Sequence, residues 1–475
     1  MGNRISYLLK NISIFAVGEM GTKIINFLLV PFYTYVLTTE EYGTADMIFT
    51  VGMMLSPIVM ISIGEAVMRY ALDEDADHHK IFGIAVSAIL FGVVVSLLLI
   101  PIFSSVSMLA PYRFYVYFYV VLCATNTVLT SFLRGLEKIK LYVSCYILRT
   151  LMIGALNIFF LVFLKKGIRG YLGAYILAEA IAALFAFFAG RMYRYCSHWK
   201  YDSVLTRKMI LFALAVVPNT ILWWLINSSD RIMVTAMIGA SENGLLAVAY
   251  KLPSLLTMAN VILMQAWKYS AIKEENSADQ SEFSNKMLDS YLKGMFIVSG
   301  ALILMLKPLT MLLFESSYYE SWRAGTYLAV GFVAMGLSNF VGTVYYVKKN
   351  MVGNMLSALT GAVVNIALNF LLIPRMGASG ATLAACAAYF AILLYCYFDT
   401  RKIQDLHIFR VPYMVSFALL FGMCLFDRMP GIWGAALLLL GYAVLMYINH
   451  TVITEILHRL IAACKKGESA GSANN

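Results

Sequence analysis

Three basic residues, Lys23, Arg149 and Lys251, stand inside apolar stretches of this chain, where hydrocarbon is the expected surrounding. A cation at the bilayer centre costs about 2.5 to 3.5 kcal/mol on insertion scales, so each needs an anionic partner or a wet cavity. Lys23 has Glu19 one turn earlier on the same helix face, and an internal pair there is compatible with a cavity role. Arg149 and Lys251 have no acid three or four residues away, which leaves an anionic ligand as the natural partner of both. A fourth basic residue, Lys307, lies close enough to a helix end to snorkel. The acids Glu19, Glu65 and Glu179 share the apolar setting and could carry a coupling proton or cation, although Glu65 is also spaced to pair with Arg69. Asn126, Asn219 and Asn227 could bond sugar hydroxyls, and Trp223 and Trp224 could stack on a sugar ring. The alternative for intramembrane amides is glue between helices, which suits Asn157 and Asn369 in particular.

Catalytic and metal chemistry finds no motif. There is no Gly-Lys dipeptide, hence no phosphate-cradling nucleotide loop. The run Asp73 to His79 lacks the glycine and terminal glutamate of a calcium loop and reads as a solvated loop. The seven cysteines form no Cys-x-x-Cys pair and read as reduced, space-filling residues, with no metal site and no cofactor.

The elements that must position these residues follow from composition. Of 475 residues, 61% are hydrophobic and 13% charged, with a mean hydropathy of +0.77. A soluble chain would carry about 25% charged residues, so lipid is the implied solvent. Apolar runs of about 20 residues or more, without the short alternation of barrel strands, select helices. The expectation is an all-α integral membrane protein of about fourteen spans, among them 11 to 36, 44 to 68, 208 to 227, 243 to 267 and 409 to 427. The first has no small-residue cleavage site behind it and reads as an anchor.

With both termini in the cytoplasm, Lys and Arg favour cytoplasmic over outer segments by about three to one, as the positive-inside rule requires. That bias and contact with anionic lipid headgroups account for the net charge of +10 without nucleic acid. Pro31, Pro57, Pro218 and Pro253 each fall inside a span and supply gating kinks, making the first, second, seventh and eighth helices the moving walls of a cavity.

The chain also repeats itself. Leu37 to Gly43 matches Ile238 to Gly244, Pro101 matches Pro308, and Leu156-Asn157 with Gly167 and Gly170 matches Leu368-Asn369 with Gly377 and Gly380. Six spans separate the copies, so they are parallel repeats, as in transporters whose cargo site lies between rocking halves. The implied organisation is a six-helix lobe over 1–190, a cytoplasmic linker over 191–208, a second six-helix lobe over 209–400, and two extra helices with a cytoplasmic tail over 401–475.

The opening segment Phe15 to Gly18 with Phe32 to Thr38 and Glu41-Tyr42-Gly43 resembles the start of bacterial O-antigen (Wzx-type) polysaccharide flippases, in the multidrug/oligosaccharidyl-lipid/polysaccharide exporter superfamily. Pro218-Asn219, Trp224, Asn227, Asp230-Arg231, Gly244 and Ala249-Tyr250-Lys251 resemble the same family's seventh and eighth helices. The resemblance implies a flippase that moves undecaprenyl-pyrophosphate-linked oligosaccharide units from the cytoplasmic to the outer leaflet of the bacterial inner membrane. It further implies coupling to an H+ or Na+ gradient, partnership with polysaccharide polymerase and chain-length proteins, and a tail groove flanked by the last two helices. An ion-coupled drug or metabolite antiporter of the related multidrug branch is the alternative.

Overall fold

The computed structural model describes residues 21–196, 202–273, 279–348, 350–452 and 454. Glu19 lies outside the described residues, as do the side chains of Asn219, Trp223 and Asn227. The described residues are helical throughout, without strands. Among the described residues ten helices are long and apolar enough to cross a membrane, eleven when the bent pair Ala240–Ala249 and Ser254–Val261 is one span. Three further helices, 21–36, Ser203–Met237 and Val411–Phe426, occupy the remaining expected positions, so the fourteen-span reading stands.

By packing, the chain forms two compact units, Met1–Ala247 and Val248–Asn475. This boundary follows contacts, whereas the lobe boundary near 190 to 209 followed the duplication. The seventh expected span and the start of the eighth therefore pack with the first unit.

In the first unit the order is α1 (21–36), α2 (Thr39–Val59), α3 (Ile63–Ala71), α4 (His78–Leu98), α5 (Ile100–Ser105), α6 (Arg113–Gly135), α7 (Ile139–Ile158), α8 (Gly167–Ala189), α9 (Tyr193–Cys196), α10 (Ser203–Met237) and the beginning of α11 (Ala240–Ala249). α6 is the central element, packed by α2, α3, α4, α7 and α8. Starts are set by local chemistry. Thr38 and Glu41 form a reciprocal capping box on α2, and Asp77 and Asp202 accept the first amides of α4 and α10. Of the four prolines expected to kink helices, Pro57 precedes a real break, where Ile61 and Ser62 take left-handed backbone between α2 and α3. Pro253 lies in the 45° bend between α11 and α12 (Ser254–Lys273). Pro31 and Pro218 sit within uninterrupted helices, because neighbouring groups can resatisfy a carbonyl that proline frees.

The second unit continues with α12, α13 (Gln280–Leu313), α14 (Ser321–Val347), α15 (Met351–Met376), α16 (Ala378–Thr400), α17 (Val411–Phe426) and α18 (Ile432–Asn449). Its centre is α14, 89% buried along its most apolar window, the counterpart of α6 in the repeat. Trp267 stacks on Phe340 at 4.2 Å in the core of this unit, and Tyr413 of α17 donates to Asp289 of α13 at 2.6 Å.

The turn from α7 to α8 and that from α15 to α16 display the duplication locally. Gly167 and Gly377 have φ of +52° and +58°, a region where glycine alone is unstrained. Gly170 and Gly380 each lie against the end of the preceding helix, where a Cβ would fall 3.1 Å from Phe160 Cβ and 2.4 Å from Leu372 O respectively.

Candidate functional site

α6, α7 and α8 each contribute one side chain to a buried polar node. Arg149 of α7 donates from Nε to Oε1 of Glu179 on α8 at 2.7 Å, and its Nη2 lies 2.5 Å from the same oxygen. Asn126 of α6 donates to the other oxygen, Oε2, at 2.8 Å. The carboxylate is 1% exposed and the guanidinium side chain 25%. Both carboxylate oxygens are thereby occupied, while the arginine, with five N–H donors, retains capacity beyond what Glu179 takes. Two residues expected to meet cargo thus have protein partners. Arg149 has a protein partner, 30 residues away on the next helix and invisible to a search within one helix. Asn126, expected as a sugar contact, donates to Glu179, while its amide oxygen has no partner among the described residues.

Aromatic rings line the adjoining region. Phe49 of α2 lies 4.3 Å from Tyr175 and 4.9 Å from Tyr119, and Tyr171 lies 4.9 Å from Tyr33. Tyr175 stands one turn before Glu179 on the same face of α8. Gly52 accommodates the Tyr119 ring, which a Cβ would overlap at 2.4 Å. Asn157 donates to Tyr33 Oη at 3.2 Å and is fully buried, the helix-joining role expected of it. Asn369, also fully buried, donates to Asn365 one turn earlier on its own helix at 3.0 Å.

A second node in the first unit was missed. Asp46 of α2 faces Arg231 of α10, with Nε 3.4 Å from Oδ2. Arg231 also approaches Thr50 Oγ1 at 3.4 Å, and Trp224 Nε1 donates to Thr50 O at 3.2 Å. Asn243 of α11 reaches Asp46 at 3.4 Å and donates to Gly43 O at 2.9 Å. Asp46 was not among the expected intramembrane acids, and Arg231 fell between the expected spans 208 to 227 and 243 to 267. The signal was available: Asp46 lies inside the 44 to 68 span. Arg231 belongs to a single 35-residue helix that outruns its apolar core.

Next to this node, repeat-equivalent residues meet. Thr39 Oγ1 is 2.8 Å from Ser241 Oγ. A Cβ on Gly43 would fall 1.8 Å from Ala240 O, and one on Gly244 would fall 2.1 Å from Thr39 O. Thr39 and Gly43 are the equivalents of Ala240 and Gly244, so each copy presents the same groups to the other, the reciprocity of a two-fold contact.

The other expected site residues are placed as follows. Lys23 is partly exposed on α1. Lys251 lies in the turn that breaks the α11–α12 span, its carbonyl accepting from Ser254 Oγ at 2.6 Å. Glu65 does not pair with Arg69. Arg69 turns to Asp73 at 2.5 Å, and Glu65 lies 3.9 Å from Arg134. Lys307 sits 4.8 Å above the Trp322 ring. At the start of α10, Lys80 bonds Asp202 at 3.0 Å. The Leu205 amide and then Lys80 hold the Asp202 carboxyl below the usual carboxylate range. Among the described residues no group of three or more His, Cys, Asp or Glu could hold a metal ion.

The model of the family described as "Polysaccharide biosynthesis protein" matches residues 8–268, more than half of the chain, and the chain belongs to that family. Its fold is shared with solved membrane transporters. "Lipid II flippase MurJ, inward closed conformation" is 16% identical with a TM-score of 0.66, over 93% of this chain and 99% of that one. "Inward-facing conformation of a multidrug resistance MATE family transporter of the MOP superfamily" is 13% identical with a TM-score of 0.65, over 82% and 97%. A MATE protein in the straight conformation is 14% identical with a TM-score of 0.56, over 83% and 94%. No curated protein matches the chain.

Proposed function

We propose that this protein is a flippase that carries undecaprenyl-pyrophosphate-linked oligosaccharide units across the bacterial inner membrane by alternating access, for surface polysaccharide synthesis. The observation that carries the reading is membership of a polysaccharide-biosynthesis family together with this chain's own Arg149, which lies within an apolar span and keeps donors beyond its carboxylate partner. A sugar diphosphate needs cations and hydrogen-bonding groups out of lipid, while its polyprenyl tail is at home in hydrocarbon. Arg149 offers the cation, and Tyr175, half-buried one turn before Glu179, offers an aromatic ring near it. Lys23 and Lys251 are the further candidate cations. Glu179, poised against Arg149, is the candidate for coupling to an H+ or Na+ gradient. Both termini lie in the cytoplasm on this reading, and a polymerase and chain-length proteins are the partners downstream.

A strain lacking the gene tests the reading. Lipid-linked oligosaccharide is expected to accumulate on the cytoplasmic face, and surface glycan to fall. Normal glycan export with altered drug or metabolite resistance supports instead the antiporter of the same superfamily, which a buried membrane carboxylate such as Glu179 also suits.

A further inference from the structure

The turn between α7 and α8 carries chemistry that neither node uses. A cavity of about 500 Å3 opens there, walled by Tyr115 of α6, Phe160 of α7, and Lys166 and Arg169 at the start of α8, with Gly170 and Gly173 as its floor. Lys166 and Arg169 are three residues apart at a helix start and share one face. Both are exposed, and among the described residues neither forms an ion pair with an acid. The nearby carboxylate, Glu41, reaches this turn without pairing with either cation: it accepts from the amides of Thr38 and, at 3.5 Å, Ile168.

The second repeat acts as an internal control. Its corresponding turn keeps the left-handed glycine, Gly377, and the close-packed Gly380, yet carries Met376 and Ser379 where the first has Lys166 and Arg169. The cations are therefore dispensable for building the turn. The first copy is also two residues longer between Asn157 and Gly167 than the second between Asn369 and Gly377. The extra length is absorbed as a π turn over Phe159–Phe163, placing Phe160 beside the cavity. Such turns are rare and concentrate at functional sites. In the proposed topology this is the outer end of the helices, where basic residues are disfavoured, and with Lys165 the turn holds three of them.

We infer that the Lys166–Arg169 cavity is a binding site for the phosphate-bearing headgroup of a membrane lipid at the outer face. Two adjacent cations, an aromatic residue at headgroup depth and a glycine floor suit a phosphate whose chains remain in the bilayer. Only the sidedness rests on the proposed topology; the site's chemistry does not depend on the cargo.

The test uses the full-length protein in nanodiscs of phosphatidylcholine, titrated with phosphatidylglycerol or polyprenyl diphosphate and read by lipid retention in native mass spectrometry. Lys166→Gln with Arg169→Gln is expected to weaken retention roughly 30-fold, each basic side chain contributing about fivefold. Lys166→Arg with Arg169→Lys is expected to retain it. Gly173→Phe leaves both cations in place and fills the cavity, since a Cβ at that position meets nothing nearer than the Phe160 ring at 3.8 Å; it too is expected to abolish retention. Unchanged retention in the glutamine double variant overturns the inference. So does saturation by soluble inorganic diphosphate without competition from the lipids, which would make the site one for a free anion. Accessibility of Lys166 to an impermeant amine reagent in intact cells reads sidedness separately: protection from outside, with lipid retention intact, sinks the topology and leaves the site standing.

Discussion

Replacing Glu179 with glutamine keeps the shape of the Arg149–Glu179–Asn126 node and removes its charge. In the native arrangement Oε1 receives Arg149 and Oε2 receives Asn126. A glutamine turned with its oxygen to Arg149 offers its NH2 to Asn126, whose amide oxygen has no other partner among the described residues and can turn to accept it, so the change removes the carboxylate charge while the hydrogen bonds survive. The guanidinium is then left largely buried without a counter-ion. Breaking a buried pair from one side costs about 3 to 5 kcal/mol. The measurement is unfolding of the purified protein in nanodiscs, wild type against Glu179→Gln, Arg149→Gln and the apolar double variant Arg149→Met with Glu179→Leu. Each single variant is expected to lose about 3 kcal/mol or more, and the double variant to recover part of that loss, because an apolar pair has no buried charge to strand. Glu179→Gln within about 0.5 kcal/mol of wild type would refute the reasoning, since that is the range of surface substitutions away from any such network. Oligosaccharide export in the same variants separates structure from transport. A double variant that folds but does not export assigns Arg149 to the cargo, and one that does both makes the node a brace between α6, α7 and α8.

Two further outcomes are expected. Gly244→Ala places a methyl group on the Thr39 carbonyl and should destabilise by about 1 to 3 kcal/mol, whereas Gly294→Ala, with nothing within 4 Å, should be neutral or stabilising in thermal unfolding. Asp202 has a depressed carboxyl pKa, so its pairing with Lys80 and the α10 amides contributes stability that is complete above the ordinary carboxylate range and is lost as pH falls through the depressed value. The thermal midpoint of wild type should therefore converge on that of Asp202→Asn in acid; a difference constant with pH would contradict this assignment.

Much of the architecture was legible without coordinates because its causes are local. Run length of apolar residues sets spans, Thr38 and Glu41 announce the start of α2, and Gly167 and Gly377 mark turns that only glycine enters without strain. The candidate site was half legible. Arg149 and Glu179 stood out as charges in apolar stretches, but their pairing did not, since 30 residues and a reversal of the chain lie between them. Glu65 failed in the opposite sense. Its spacing to Arg69 is correct for a helical pair, yet Asp73 is better placed for that guanidinium at 2.5 Å.

By itself, then, the sequence determined that the chain crosses a membrane as helices, that it is duplicated, and which few charges lie where lipid would exclude them. These follow from hydropathy and backbone sterics acting within one helix or turn. Only the tertiary structure decided that Glu179 answers Arg149, that Asp46 meets Arg231, and that Lys166 and Arg169 open onto a cavity. A helix apolar on every side does not encode which face meets which neighbour; packing against the central α6 does.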